Sequence, residues 1–451
     1  MVASIVNAPT PSRDYLTSLR SQLRGRRQLE ALMGVARKFG DICCLPIGSK
    51  PTYLLNNPDY TREVLVLNNQ NFGKAAGVVQ MKRLVGEGLL TSEGAYHSWQ
   101  RRVAQPSFSH DSVQGYSDIM TKFTRRMIAA WGIDLGAEKV IDVYAEMTKL
   151  TRDIVVRSLF GVNLESDSGV SSLSSGWLRL SRLLVPASDL RERVQRHAPD
   201  AGRGELDALI EEILRKHEEL EKERHNGGDL LAVFLESKDP RGESLAQKMT
   251  KQQIRDEMAT LIVAGHATTA NALSWALYLL ARNPTVQSKL RRELDDTLGG
   301  KPPTGVDAFK LSYTMSVFDE AIRLYPPAWL IVREAVSDCK IGGYEIPAGS
   351  VILISPYIAH RDPRFFPNPE AFIPERWEAK SSLTRFAFIP FGAGPRSCIG
   401  EHLARLEGVM IIAAVAQKFR LRPVSGYPVV TQPRPFELLT PRYGIPLLVS
   451  G

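Results

Sequence analysis

The stretch Phe391-Gly392-Ala393-Gly394-Pro395-Arg396-Ser397-Cys398-Ile399-Gly400 runs from closely spaced glycines into a cysteine, after which Ile399, Leu403, Leu406, Met410 and Ala413 fall at helical spacing. Gly394 permits a tight turn that a Cβ would oppose. Cys398 therefore stands at the end of a loop and just before a helix, where backbone N–H groups and the positive end of the helix dipole favour a thiolate. The bland alternative is a buried apolar cysteine beside a glycine turn, and the loop-then-helix context argues against it. The chain has 4 cysteines, and Cys43, Cys44, Cys339 and Cys398 are too irregularly spaced for a disulfide framework or a zinc site. Cys43 and Cys44, inside a strand-like run from Ile42 to Ile47, read as small buried hydrophobes.

Upstream, Glu320-Ala321-Ile322-Arg323 places an acid and a base at i and i+3 on a helix that Tyr325-Pro326-Pro327 ends. Alone, such a pair is usually a surface contact of little worth. Pro374-Glu375-Arg376-Trp377 follows it. Further back, Met258 to Ala281 is apolar on nearly every face and stops at Asn283-Pro284, which predicts a helix running through the interior. It contains Ala264-Gly265-His266-Ala267-Thr268-Thr269, where a mid-helix hydroxyl can loosen the backbone ladder. A second helix, Ala201 to His225, has one narrow apolar stripe among Glu, Lys and Arg and reads as a surface lid. Strand signals cluster at the two ends: Ile42 to Ile47 and Pro51 to Asn56, then residues 329–358 and 421–449. A helix over residues 26–39 should end at Gly40.

These landmarks together resemble the cytochrome P450 family. Phe391, Gly394, Arg396, Cys398 and Gly400, with Gly392 in the same loop, match its haem-binding pattern, and the resemblance implies Cys398 as axial ligand to the iron of haem b (iron protoporphyrin IX). A thiolate ligand favours O–O cleavage. Gly400 would let the next helix approach the flat macrocycle, and Gly265 would leave room above the iron. Glu320, Arg323 and Arg376 resemble the family's buried ion network, a folding device. His97-Ser98-Trp99-Gln100-Arg101 resembles the helix near the haem propionates, so His97 and Arg101, with Arg333 and Arg396, are expected to hold those carboxylates. Thr268 matches the threonine of the oxygen-activation segment. Ala267 departs from the pattern, since the family commonly carries Asp or Glu there as a proton relay. By resemblance the pocket is placed at Gly73 to Glu93, Trp177 to Ala187, Ile262 to His266, Ala328 to Val332 and Phe436 to Leu439. Leu89, Ile262, His266, Leu330, Val332 and Leu438 are its expected lining, and His266 is a candidate substrate hydrogen-bonding group.

The implied fold is mainly α with small β-sheets, a triangular-prism-shaped P450 domain spanning residues 1–451 as one unit. The 451 residues are 43% hydrophobic and 24% charged, and no linker or repeat divides them. No run near the N-terminus approaches the roughly 20 apolar residues that span a bilayer, so a soluble, cytoplasmic monomer without a membrane anchor is expected. Lys+Arg 57 against Asp+Glu 49 gives +8, spread along the chain, which argues against nucleic-acid binding. Arg101, Arg102, Lys122, Arg125, Arg126, Arg405, Lys418, Arg420 and Arg422 could instead form a face for an acidic protein, or simply be solvated. By resemblance, that partner is a ferredoxin or flavodoxin with its reductase, supplying NAD(P)H-derived electrons. The expected reaction uses dioxygen to oxidise, in most cases hydroxylate, an apolar or amphipathic small molecule in secondary metabolism. Oxidative ring closure or coupling without oxygen insertion is the alternative within the class, and a haem-binding sensor or carrier without turnover the alternative outside it.

Overall fold

Short β-rich or alternating stretches at the two ends of the chain make most of the strands, helix dominates the body between them, and one strand of that body, Glu138–Asp142, joins the C-terminal sheet. The computed structural model describes residues 7–24, 28–46, 49–164, 198–223, 228–238, 248–378, 384–434 and 438–451. The segment Trp177 to Ala187, expected to contribute to the pocket, and Phe436 lie outside the described residues.

The strands are β1 (Ile42–Leu45), β2 (Thr52–Leu55), β3 (Phe72–Lys74), β4 (Glu138–Asp142), β5 (Ile331–Ala335), β6 (Cys339–Ile341), β7 (Tyr344–Ile346), β8 (Val351–Ile354), β9 (Arg420–Pro423), β10 (Thr431–Arg434), β11 (Leu438–Pro441) and β12 (Pro446–Ser450). The largest sheet has the order β1-β2-β8-β5-β3, so strands from both ends of the chain meet. Antiparallel pairing of β3 with β5 sets Lys74 directly opposite Arg333. Cys43 is 1% exposed within β1, as a small hydrophobe should be.

The helices that matter for the site are α1 (Gln28–Phe39), α2 (Ala76–Val85), α3 (Gly94–Ala104), α4 (Ser117–Trp131), α5 (Val143–Phe160), α6 (Ala198–Glu223), α7 (Lys251–Arg282), α8 (Ser312–Leu324) and α9 (Glu401–Lys418). Gly40, at φ 78°, follows α1 where the sequence put its stop. At 32 residues, α7 is about 48 Å long. It starts seven residues before the apolar run because Thr250 and Gln253 form a capping box, a polar signal that hydrophobicity does not carry. Its later turns are almost wholly buried, and α5 packs closely along it. Gly265 makes that approach possible: a Cβ there would lie 3.0 Å from Val155 Cγ2. On α6, Leu206, Leu209, Ile210 and Ile213 are buried, so the narrow apolar stripe is a packing face. Among the described residues no helix is long and apolar enough to cross a membrane.

The expected basic face is only partly built. Arg102, Lys122, Arg125, Lys418 and Arg420 are exposed. Arg405 instead turns inward to Asp319 and Glu401, Arg422 pairs with Glu138, and Arg101 bonds Ser397. Side chains long enough to reach a carboxylate or carbonyl on a neighbouring element do so, which helix-face position alone does not reveal.

Candidate active site

The loop that carries Cys398 is pinned before it reaches α9. Cys398 N–H donates to Phe391 O at 2.8 Å. Gly394 has φ 72°, and a Cβ on it would stand 2.0 Å from the Leu65 carbonyl oxygen, so glycine is demanded twice over. Arg101 Nη1 donates to Ser397 O at 2.7 Å and braces the residue next to the cysteine. Cys398 keeps accessible surface although it lies deep in the fold, because it faces a cavity of about 360 Å³. Leu90, Leu261, Val332, Phe391, Thr268 and Arg396 are among the residues lining that cavity.

Burial pushes the Cys398 thiol up to about 11, with Glu401 adding to the rise, against the Gly400 N–H and Arg101, which pull it down. With nothing bound at the sulfur, desolvation is the largest influence on the thiol. A cation bound at the sulfur reverses that logic, because a coordinating thiol is deprotonated outright.

A cluster of cations edges the same cavity. Arg333 and Arg396 line it. Arg396 Nη2 donates to Glu93 Oε1 at 3.2 Å, while its Nη1 is buried without a hydrogen-bond partner. Lys74, which the sequence reading missed, faces Arg333 across the strand pair, a like-charge juxtaposition that is unfavourable by itself. Its ammonium donates to Leu90 O and Ser92 O, both at 2.6 Å. Burial, then Arg396, lowers the Lys74 pKa to about 7, with Glu93 opposing and Arg333 adding. Burial, then Lys74 and the two arginines Arg396 and Arg101, lowers His97 to about 4, so it is neutral at physiological pH. His97 is 8% exposed and sits behind this edge. Lys74, Arg396 and Arg101, all close enough to act on His97, with Arg333 opposite Lys74 and one buried unsatisfied N–H on Arg396, suit a ligand bearing two carboxylates.

On α7, Thr268 lines the cavity and its Oγ1 donates to Ala264 O at 2.7 Å. Thr269 Oγ1 donates to Gly265 O at 3.1 Å, and Asn271 Nδ2 to Ala267 O at 2.7 Å. Three carbonyls of one turn thus carry a side-chain donor, which loosens the ladder there without a proline. Gly265 reaches the cavity by its backbone, but the Cβ it lacks would point at Val155. Its missing side chain therefore also serves helix packing. Ala267 is 7% exposed and contributes no acid. Glu407 on α9 also lines the cavity, with Oε1 unpartnered, and burial holds its pKa well above the usual carboxyl range. An isolated acid in an apolar helix gave no sequence motif to find.

Of the expected pocket residues, Leu330 and Val332 line this cavity, and elsewhere neighbouring residues do. Leu90 replaces Leu89 at the wall, and Leu261, Ala264 and Gly265 replace Ile262 and His266. Counting back from Thr268 by helical turns selects residues 264 and 261, so the periodicity held that information. His266 Nδ1 instead meets its own helix at Ile262 O, 2.6 Å away, and burial lowers its pKa. Leu438 is buried in β11 beside a bridge to Ala328 and is outside the wall.

Below this site, Arg323 and Glu320 are fully buried and joined by two bonds of 2.8 Å. Arg323 also donates to the carbonyls of His360, Pro369 and Ala371. Glu320 accepts from Arg376 Nε, Ile373 N–H and Trp377 Nε1 at 2.9 to 3.0 Å. Trp377 and His360 complete the network; His360 Nε2 takes the Ile389 N–H at 3.0 Å, two residues before Phe391.

The Cytochrome P450 family model matches residues 10–449. The chain belongs to the cytochrome P450 family. It is a P450 monooxygenase, mainly helical with small sheets, and its cofactor is haem b. It is 35% identical to cyclooctatin synthase of Streptomyces melanosporofaciens, over 93% of this chain and 90% of that one. It is 31% identical to cyclooctat-9-en-7-ol 5-monooxygenase of the same organism, over 89% and 86%. Pentalenene oxygenase of Streptomyces avermitilis is 30% identical, over 88% and 87%.

Proposed function

We propose that this P450 inserts oxygen into a C–H bond of a largely hydrocarbon, cyclic small molecule in secondary metabolism, using dioxygen and electrons from a separate ferredoxin or flavodoxin. The observation that carries the reading is one apolar cavity exposing both the Cys398 sulfur and Thr268. The names of the Streptomyces relatives, with a cyclic alkenol and pentalenene among their subjects, point the same way.

Cys398 would hold the iron through its sulfur, and Arg333, Arg396, Arg101 and Lys74 would hold the propionates. When bound, haem b supplies the reduction of dioxygen and the transfer of one oxygen atom to carbon. The apolar wall binds substrate by burying its surface, with few polar anchors. Thr268 positions a proton at its Oγ1, and with Ala267 beside it the proton arrives through water ordered by substrate and not through a neighbouring carboxylate.

Turnover under isotopically labelled dioxygen, with a reductase and ferredoxin, tests the assignment: one labelled oxygen in the product is expected. A two-hydrogen loss without label would assign oxidative ring closure. Cys398→Ser should abolish the strongly red-shifted Soret band of the reduced carbon monoxide complex, since a neutral hydroxyl cannot supply the thiolate's charge. Persistence of that band would refute the ligand.

A further inference from the structure

Glu257 is buried on α7 outside the cavity, at 1% exposure, and the reaction described above does not use it. Its Oε2 accepts the Leu89 N–H at 3.1 Å, and its Oε1 has no hydrogen-bond partner. One turn along the same helix face, Thr260 Oγ1 is likewise buried and unpartnered. Both face the loop of residues 86–92 that joins α2 to α3. That loop lies directly against α7: a Cβ on Gly88 would be 2.3 Å from Thr260 Oγ1 and 2.4 Å from Asp256 O. Its next residue but one, Leu90, lines the cavity, and Leu90 O and Ser92 O hold the Lys74 ammonium. One short loop therefore connects a buried acid, the cavity wall and the cationic edge.

The charges around Glu257 are already committed to one another. Asp256 accepts the Glu87 N–H at 2.8 Å and pairs with Arg255 at 3.2 Å; Arg255 also pairs with Asp207 of α6, and Lys82 of α2 with Glu87. From α3 the neutral Gln100 approaches, donating to Glu87 O at 2.8 Å. Among the described residues no cation forms an ion pair with Glu257.

We propose that Glu257 is a positioning residue for the cavity-lining loop: the neutral acid keeps residues 86–92 seated on α7, and its ionisation lifts them to admit water. A carboxylate with one oxygen unpartnered is costly in a dry site, and the closeness of Gly88 to Thr260 means that water reaches it only when the loop moves. Burial, with Asp256 beside it, pushes Glu257 up to about 8, against the Leu89 N–H and Gln100. In the lifted, hydrated state the ordinary value of 4.5 applies. The seated state thus binds more protons between those values. Its stability is fully present below about 4.5, falls as pH rises, and levels off above about 8. Leu90 and the two carbonyls that hold Lys74 move with the loop, so pocket access and the cationic edge follow the same proton.

The test is amide hydrogen exchange of residues 86–92 in the haem-loaded protein from about pH 5 to about pH 9, corrected for intrinsic rates; opening should rise by up to about tenfold per pH unit and level off near 8. Glu257→Gln keeps an acceptor for the Leu89 N–H but cannot ionise, so its loop should stay protected across the range. The result does not depend on which reaction the cavity supports. A flat wild-type profile, a glutamine variant that follows wild type, or an equal loss of protection in the core of α7 would each overturn the proposal.

Discussion

Two clusters of arginines, one below the cysteine loop and one at the cavity edge, use the same side chain to opposite ends. Around Glu320 the opposite charges are matched within the protein: Arg323 and Arg376 bond its carboxylate, and the remaining Arg323 N–H groups are spent on three backbone carbonyls. At the cavity edge, Arg396 pairs with Glu93 and keeps a buried N–H unsatisfied, with Lys74 beside it, Arg333 opposite Lys74 and Arg101 on Ser397. Each cluster keeps one buried arginine N–H without a partner, Arg376 Nη2 in the first and Arg396 Nη1 in the second, but the first is closed around a fully buried carboxylate and holds the chain in one arrangement. The second opens on the cavity through Arg333 and Arg396, and cations gathered there store unfavourable charge that a bound anion relieves, which is the property of a binding site.

The sharpest way to break this contrast is Glu320→Ala. It leaves Arg323 buried without its carboxylate and strips acceptors from Trp377 and the Ile373 N–H, a loss of about 3 to 5 kcal/mol. Denaturant unfolding should show that loss with or without haem, and unchanged stability would make the network ornamental. Arg396→Ala should act on the cofactor and not on the fold. Losing a charge-assisted bond of about 1.5 to 3 kcal/mol speeds haem transfer to a scavenger about ten- to hundredfold, while the haem-free protein keeps its stability or gains from relieved repulsion. If the haem-free variant is strongly destabilised, the cavity edge is structural like the first cluster.

Lys74→Met should have a smaller, pH-dependent effect of severalfold on haem retention. In the haem-free protein Lys74 has its pKa lowered to about 7, and a bound carboxylate raises it. The lysine's contribution is therefore complete below about 7 and lost as pH rises from there; an effect that grows with pH would contradict the assignment. Thr268→Ala, outside both clusters, serves as the control. Helix stability should change by under about 1 kcal/mol and haem retention not at all, while peroxide released per nicotinamide oxidised increases. Unaltered coupling of oxidation to product would remove Thr268 from proton delivery.

How legible each part was follows the distance over which its chemistry is organised. The turn at Gly394, the pair Glu320 and Arg323, and the stop after α1 are local: spacing along the chain states them. Lys74 was invisible because its importance comes from Arg333, opposite it in the sheet but 259 positions away in sequence, by subtraction of their numbers. Glu257 and Glu407 gave no motif because a carboxylate becomes unusual only once packing has removed its water. His266 was misassigned because two residues one or two positions apart on a helix face different neighbours.

The sequence by itself determined the family, the cysteine loop, the helical body with sheets at its ends, and the alanine at position 267, since each depends on residue identity and short spacing. Tertiary structure alone decided which face of α7 meets the cavity, how strongly burial raises the Cys398 thiol, and which cations gather without enough anions. Those are consequences of desolvation and of contacts between distant segments, and neither exists until the chain has folded.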